Sequence, residues 1–170
     1  MLILILGPVC SGKSDELMRI GDRYEFAAKK KVLYVTPKIM GNKITSRNGC
    51  GKNAINDLPD IFNEYDVICF DEAQFFESKE FVYYIDILAY KKIVILSALS
   101  GDFRRENMGY ISHLMPKADQ IIHLTSICYY CQHDAAFSMK ISGDKHKTID
   151  IGQEKYIPVC REHHIERKLI

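Results

Sequence analysis

Gly7, Gly12, Lys13 and Ser14 stand in the fixed places of G-x-x-x-x-G-K-[ST], a spacing that suits phosphate chemistry. The segment Gly7, Pro8, Val9, Cys10, Ser11, Gly12, Lys13, Ser14 follows an apolar run, Leu2 to Leu6, and precedes a helical pattern. A loop in that setting turns backbone N–H groups outward at the positive end of a helix dipole. Gly12 lets the backbone come close to a phosphate, Lys13 adds a point charge for the outer phosphates, and the Ser14 hydroxyl can ligate magnesium. A Gly-containing turn could match by chance, but four fixed positions in a strand-then-helix context favour a phosphate-binding loop. The expected ligand is a nucleoside triphosphate.

Two further clusters carry chemistry. In "VICFDEAQFF" (67–76) a hydrophobic strand ends in Asp71 and Glu72. Asp71 suits the magnesium shell, and Glu72 beside it can take the proton from an attacking hydroxyl or water. Carboxylates also favour helix N-termini, so the pair gains its catalytic reading from the loop at 7–14. Near the C-terminus, "CYYC" gives Cys128 and Cys131, and "CREHH" gives Cys160 with His163 at the same spacing. Two such knuckles can close a tetrahedral structural zinc site on a β-ribbon, with a long loop between them. His164 competes for the fourth place, and spacing alone favours His163. Cys10, Cys50 and Cys69 read as ordinary free thiols.

These residues need a scaffold. A chain of 170 residues, 47% of them hydrophobic, suggests one main domain with a small appendage and enough apolar mass for a core. A net charge of +1 argues against broad coating of nucleic acid. The one tight basic run, Lys29 to Lys31, falls where a helix should end and complements its dipole. The apolar start is short and lacks a basic leader, and nothing resembles a spanning helix, so a reducing, cytoplasmic setting without membrane contact is expected. Leu17, Ile20, Tyr24 and Ala27 recur at helical spacing and predict a helix over 14–30. "VLYV" (32–35), "VICF" (67–70), "IVILSA" (93–98) and "IIHL" (121–124) read as buried parallel strands. Phe81, Tyr84, Ile85 and Leu88 mark a second helix, and 36–60 reads as an irregular loop. The fold class is therefore α/β: a P-loop parallel sheet flanked by helices over 1–125, followed by a small zinc-binding unit over 126–170.

The order "GPVCSGKSDELM", "FDEAQFF", "ALSGDFRRENMG", "LTSICYYC", "AAFSMK" and "EKYIPVC" resembles the type II, zinc-containing thymidine kinases along nearly the whole chain. That resemblance implies an α/β P-loop domain and a zinc-bound lasso folding over the nucleoside. It implies transfer of the γ-phosphate of ATP to the 5′-hydroxyl of thymidine, feedback by the end-product triphosphate, and usually a homotetramer. Lys13 and Ser14 match the family's phosphate and magnesium positions, Asp71 its metal-side carboxylate and Glu72 its general base. Phe75 and Phe103 match aromatic residues lining the nucleoside pocket. Tyr156 matches the lasso tyrosine, and Ser138 and Ile149 fall near the base.

The chain departs from the family at several points. In the P-x-x-D-x-R arrangement, "PKIMGN" puts Met40 and Asn42 where the family has Asp and Arg. Ser100 replaces an Asp, Arg47 replaces a His in "SRNG", Met108 replaces an aromatic, and the lasso glycine pair is reduced to "IGQ". Arg47 is the candidate to supply the missing cation. Two rival functions follow: a weakened relative that binds nucleotides for regulation, and a P-loop ATPase with a nucleic-acid-binding zinc ribbon. The second needs a basic face around the knuckles, and "CYYCQHD" offers Tyr129 and Tyr130 without one, so no nucleic-acid partner is expected.

Overall fold

The computed structural model describes residues 1–144, 146–147 and 149–166. In chain order its elements are β1 (Leu2–Gly7), α1 (Lys13–Asp22), β2 (Val32–Val35), β3 (Lys43–Thr45), β4 (Gly51–Asn53), β5 (Val67–Phe70), α2 (Lys79–Lys91) and β6 (Ile93–Leu99). There follow α3 (Ile111–Leu114), β7 (Gln120–His123), β8 (Ser126–Ile127), β9 (Asp134–Ala135), β10 (Phe137–Lys140), β11 (Tyr156–Val159) and α4 (Arg161–Glu166).

Five strands form one sheet in the order β2-β5-β6-β1-β7, every neighbouring pair parallel. Strand β1 is buried along its whole length because both of its faces are covered. Its alternate residues part company as strand geometry requires. Leu2, Leu4 and Leu6 join Phe81, Ile85 and Leu88 of α2 on one face. Ile3 and Ile5 join Leu17, Met18 and Ile20 of α1 on the other. The continuous apolar run that opens the chain is the sequence signature of this two-sided burial.

The predicted strands fall where the apolar runs place them, and α2 spans its predicted stripe. Strand β7 is not buried as expected: it is the edge strand, and three of its four residues are exposed. Two other segments differ. The first helix is α-helical only to Asp22; Arg23–Ala27 widen into π geometry, and Lys29 turns left-handed at φ 54°. Ala27, the last residue of the predicted stripe, is exposed, so no buried contact holds a final α turn there. The segment 36–60 also holds more order than an irregular loop. Strands β3 and β4 pair antiparallel, with Ile44 opposite Lys52, and Ile44 is buried in the α1-side cluster. One buried apolar residue in a three-residue strand is too short a pattern to read as periodicity.

After β7 the chain leaves the sheet. Strands β8 and β9 pair with each other, as do β10 and β11, and Cys128, Ala135, Ile157 and Val159 form a small core between them. The loop 141–155 joins β10 to β11. Among the described residues no helix is long and apolar enough to cross a membrane.

Candidate active site and metal centre

The loop between β1 and α1 is shaped by its backbone. Gly12 caps α1 at φ 79°, a left-handed conformation that favours glycine, and Cys10 also sits at φ 61°. The Ser11 hydroxyl donates to the Pro8 carbonyl at 2.9 Å, and the Lys13 ammonium donates to the same carbonyl at 2.7 Å. Lys13 is thus folded back over the loop mouth, buried, and its pKa is lowered. Burial is the larger cause, and the negative charges of Glu72 and Asp71 oppose it.

Strand β6 lies between β1 and β5, so Asp71, just past β5, faces the loop across an intervening strand. Its carboxylate accepts from Ser14 Oγ at 3.1 and 2.9 Å and from the Ser97 hydroxyl of β6. Burial pushes the Asp71 carboxyl up to about 6, the Glu72 charge adds to this, and the two serine hydroxyls pull against it. A hydroxyl and a carboxylate in contact form a hard oxygen donor set that fits magnesium.

Glu72 holds a left-handed backbone at φ 50°, which swings its side chain out of line with the strand. Gln74, fully buried, donates from Nε2 to Glu72 Oε2 at 2.5 Å and accepts from the Leu99 N–H at 3.1 Å. That amide ties the carboxylate to the end of β6.

A cleft of about 660 Å³ joins these groups to the C-terminal unit. Residues 9–14, Asp71, Glu72, Phe75, Phe103, Ser138, Ile149 and Tyr156 all line it. Gly7 and Pro8 lie just behind, buried under the loop. Ser138 Oγ accepts from the Val9 N–H at 3.0 Å, and Ser126 Oγ donates to the Cys10 carbonyl at 3.0 Å, so the C-terminal unit docks directly on the phosphate-loop backbone. Met40, Lys43 and Arg47 line the same cleft from the β3–β4 side. Asn42 is exposed and does not line it.

Cys128, Cys131, Cys160 and His163 bring their ligand atoms within 4.8 Å of one another. Cys131 Sγ and Cys160 Sγ are 3.8 Å apart, Cys128 Sγ and His163 Nδ1 3.7 Å, and Cys160 Sγ and His163 Nδ1 3.2 Å. Tetrahedral zinc with bonds of ~2.3 Å to sulfur needs S–S edges of ~3.8 Å. The donor set can therefore hold a zinc ion. At Cys128 burial works against the thiolate. The backbone N–H groups of Cys131, Cys160 and Tyr130 outweigh it and bring the thiol down to about 6. The neighbouring His164 is fully buried with Nε2 2.9 Å from the Phe103 carbonyl, which makes Nε2 the protonated donor.

Ser97, Gln74, Lys140 and Asp150 were not singled out by sequence reasoning. Ser97 and Gln74 acquire roles only because β6 and β5 lie side by side, and no spacing in the chain announces that. Lys140 did leave a signal: it is a cation one strand-period after the inward-facing Ser138.

Comparison with known proteins agrees with this geometry. A family model described as "Thymidine kinase" matches residues 1–164. The thymidine kinase of Amsacta moorei entomopoxvirus is 37% identical over 173 residues, covering 93% of this chain and 94% of that protein. That of Sheeppox virus (strain KS-1) is 36% identical, covering 94% of this chain and 93% of its own. That of Mycoplasma mobile is 34% identical, covering 96% and 86%. Among solved structures, domain III of the Thermotoga maritima replication initiation protein DnaA is 16% identical with a TM-score of 0.46. The match covers 72% of this chain and 54% of that one. A likeness at that level adds nothing to the fold described above.

Proposed function

Since this chain belongs to the thymidine kinase family, we propose that it transfers the γ-phosphate of ATP to the 5′-hydroxyl of thymidine, giving dTMP and ADP, with deoxyuridine as a second substrate. The observation that carries this reading is the single cleft holding the phosphate loop, the Asp71–Glu72 pair and the aromatic walls Phe75, Phe103 and Tyr156.

In this reading residues 7–14 hold the triphosphate, with Lys13 on its outer phosphates. Ser14 and Asp71 would hold Mg²⁺, which neutralises charge developing on the phosphoryl oxygens. Glu72, oriented by Gln74, accepts the proton of the 5′-hydroxyl as the nucleoside oxygen bonds to the γ-phosphorus and the bond to the ADP oxygen breaks. Phosphoryl transfer has a loose transition state, so positioning contributes more than covalent chemistry. Phe75, Phe103, Ser138, Ile149 and Tyr156 bind the nucleoside. A zinc ion held by Cys128, Cys131, Cys160 and His163 would anchor the two roots of the segment between Cys131 and Cys160, which carries Ser138, Ile149 and Tyr156. The division into a nucleotide unit (1–125) and a lasso unit (126–170) and the homotetramer belong to the same reading, the latter checked by light scattering.

The departure at Met40 and Asn42 supports one alternative, a weakened relative that binds nucleotides without fast turnover. Coupled ADP release measured with thymidine, deoxyuridine, other nucleosides and no acceptor separates the two. Thymidine-dependent ADP release upholds the kinase reading, and tight nucleotide binding without it upholds the alternative.

A further inference from the structure

Lys140, at the end of β10, has a side chain only 1% exposed, and a buried ammonium is costly unless every proton finds an acceptor. Here it has acceptors for all three. It donates to the Asp144 carbonyl at 2.5 Å, to the Lys147 carbonyl at 3.3 Å, and pairs with Asp150 Oδ2 at 2.8 Å. Two aromatic rings complete the surroundings, with the Phe103 centroid 5.4 Å and the Tyr156 centroid 5.8 Å from Nζ.

We propose that Lys140 is a positioning residue for the nucleoside, the internal ion around which Asp144, Lys147 and Asp150 gather. Three of its partners (Phe103, Asp150 and Tyr156) line the cleft, whereas Lys140 does not. It therefore acts from behind the wall. Phe103 follows β6 and Tyr156 opens β11, so the ammonium sits at the junction of the two units and sets the 6.5 Å separation of the two rings. Asp150 also pairs with Lys155, and hydrogen bonds from Lys140 and Lys155 hold its carboxyl down to about 2, so it stays ionised under working conditions. Gly143, at φ 84°, completes the closure, since a Cβ there would collide with the Asp150 carboxylate. Among its described residues the loop 141–155 holds one short 3-10 turn, Gln153–Lys155, and the candidate zinc ligands lie outside it, at 128, 131, 160 and 163. An ion in its interior supplies what coordination at its ends cannot, the placement of Ile149 and Tyr156.

Because its protons are engaged inside the loop, Lys140 has none to offer a phosphate. Its loss should therefore fall on the nucleoside and spare the nucleotide. This inference rests on the cleft being the nucleoside site, and the wild-type protein tests that first: thymidine-dependent turnover must be present. Steady-state constants are then measured for the full chain carrying Lys140→Met and Lys140→Arg. Methionine should raise the thymidine KM about tenfold, by displacing the walls, while the ATP KM and zinc content stay as in wild type. Arginine, which keeps the charge, should recover much of the loss. Should Lys140→Met fail to fold, Asp150→Asn carries the test by removing only the carboxylate partner. An unchanged thymidine KM, an ATP KM that rises equally, or an arginine variant no better than methionine would overturn the proposal while leaving the kinase reading intact.

Discussion

The two ends of the cleft are positioned by different physics. At the end formed by the loop 7–14, which the proposed function assigns to phosphate, the working groups stand at or within two residues of the terminus of a regular element. The loop of residues 8–12 is strung between β1 and α1, Asp71 follows β5, and Ser97 is on β6. The parallel sheet fixes these termini by burying both its faces, so precision there is a by-product of the core. At the other end, proposed for the nucleoside, β10 and β11 pair over four residues each, and the described residues of the loop between them rest on polar contacts. The four-ligand cluster ties its roots, Lys140 fills its middle, and Ser138 and His164 fasten its base to the Val9 N–H and the Phe103 carbonyl. One end should therefore fail by losing chemistry on an intact scaffold, and the other by losing geometry.

The largest effect should come at the phosphate end. On the proposed mechanism Lys13→Ala removes the cation for the outer phosphates and Asp71→Asn the carboxylate for magnesium, and each should lower turnover by about a thousandfold. The fold should survive both. For Asp71 the sign is favourable: its folded pKa, about 6, lies above the ordinary value of 3.8. Protonation thus favours the folded state, and that contribution is lost as pH rises through 6. Asparagine removes the cost of the buried charge at pH 7. The nucleotide-free, magnesium-free variant should therefore melt no lower than wild type by differential scanning calorimetry, and a markedly lower midpoint would make Asp71 a structural residue. Glu72→Gln comes next. Losing the proposed general base should cost about a hundredfold in turnover with little change in ATP affinity. Wild-type turnover would remove Glu72 from the mechanism.

Breaking the other end should give the opposite pattern. Cys160→Ser, or stripping zinc with a chelator, should raise the thymidine KM by about tenfold through disordering of 138–158, with the ATP KM held. Proteolysis within that segment should accelerate, and elemental analysis should fall from about one zinc per chain. His163→Ala should behave alike. His164→Ala should keep its zinc, because its Nε2 bonds the Phe103 carbonyl, and should instead lower stability by roughly 1–3 kcal/mol through the buried acceptor left behind. If His164→Ala is the variant that loses metal, the fourth ligand is misassigned.

The same contrast explains what the sequence made legible. The strands of the sheet and the phosphate loop were readable because two-sided burial writes itself as unbroken apolar runs, and phosphate binding demands fixed residue types at fixed spacing. The cysteine and histidine cluster was readable because zinc ligands come in knuckles. His163, which spacing favoured, lies with the three cysteines, while His164 bonds the Phe103 carbonyl, 61 positions away in sequence. The β3–β4 hairpin was not readable, since one buried Ile44 carries it. Nor was the support around the site. Gln74 holding Glu72, Ser97 holding Asp71 and Lys140 holding Asp150 are each ordinary residues until the fold brings their partners across.

The smallest effect expected separates two of the cations that line the cleft, Lys13 and Arg47. Lys13 is buried, so its field is little screened and its loss is severe. Arg47 lines the cleft from the turn between β3 and β4 but is exposed, although its charge still reaches Lys13 and opposes that ammonium's ionisation. A solvent-exposed charge acting on a phosphate through water contributes about 1 kcal/mol or less, and salt weakens it. Arg47→Ala should therefore raise the ATP KM by only about threefold in dilute buffer, and the difference from wild type should close near 0.5 M salt. The thymidine KM should not move. If the loss is instead a hundredfold and insensitive to salt, the β3–β4 turn closes over the triphosphate during catalysis. The cation that the family carries where Asn42 stands has then been rebuilt at Arg47, and the phosphate end is not positioned by the sheet alone.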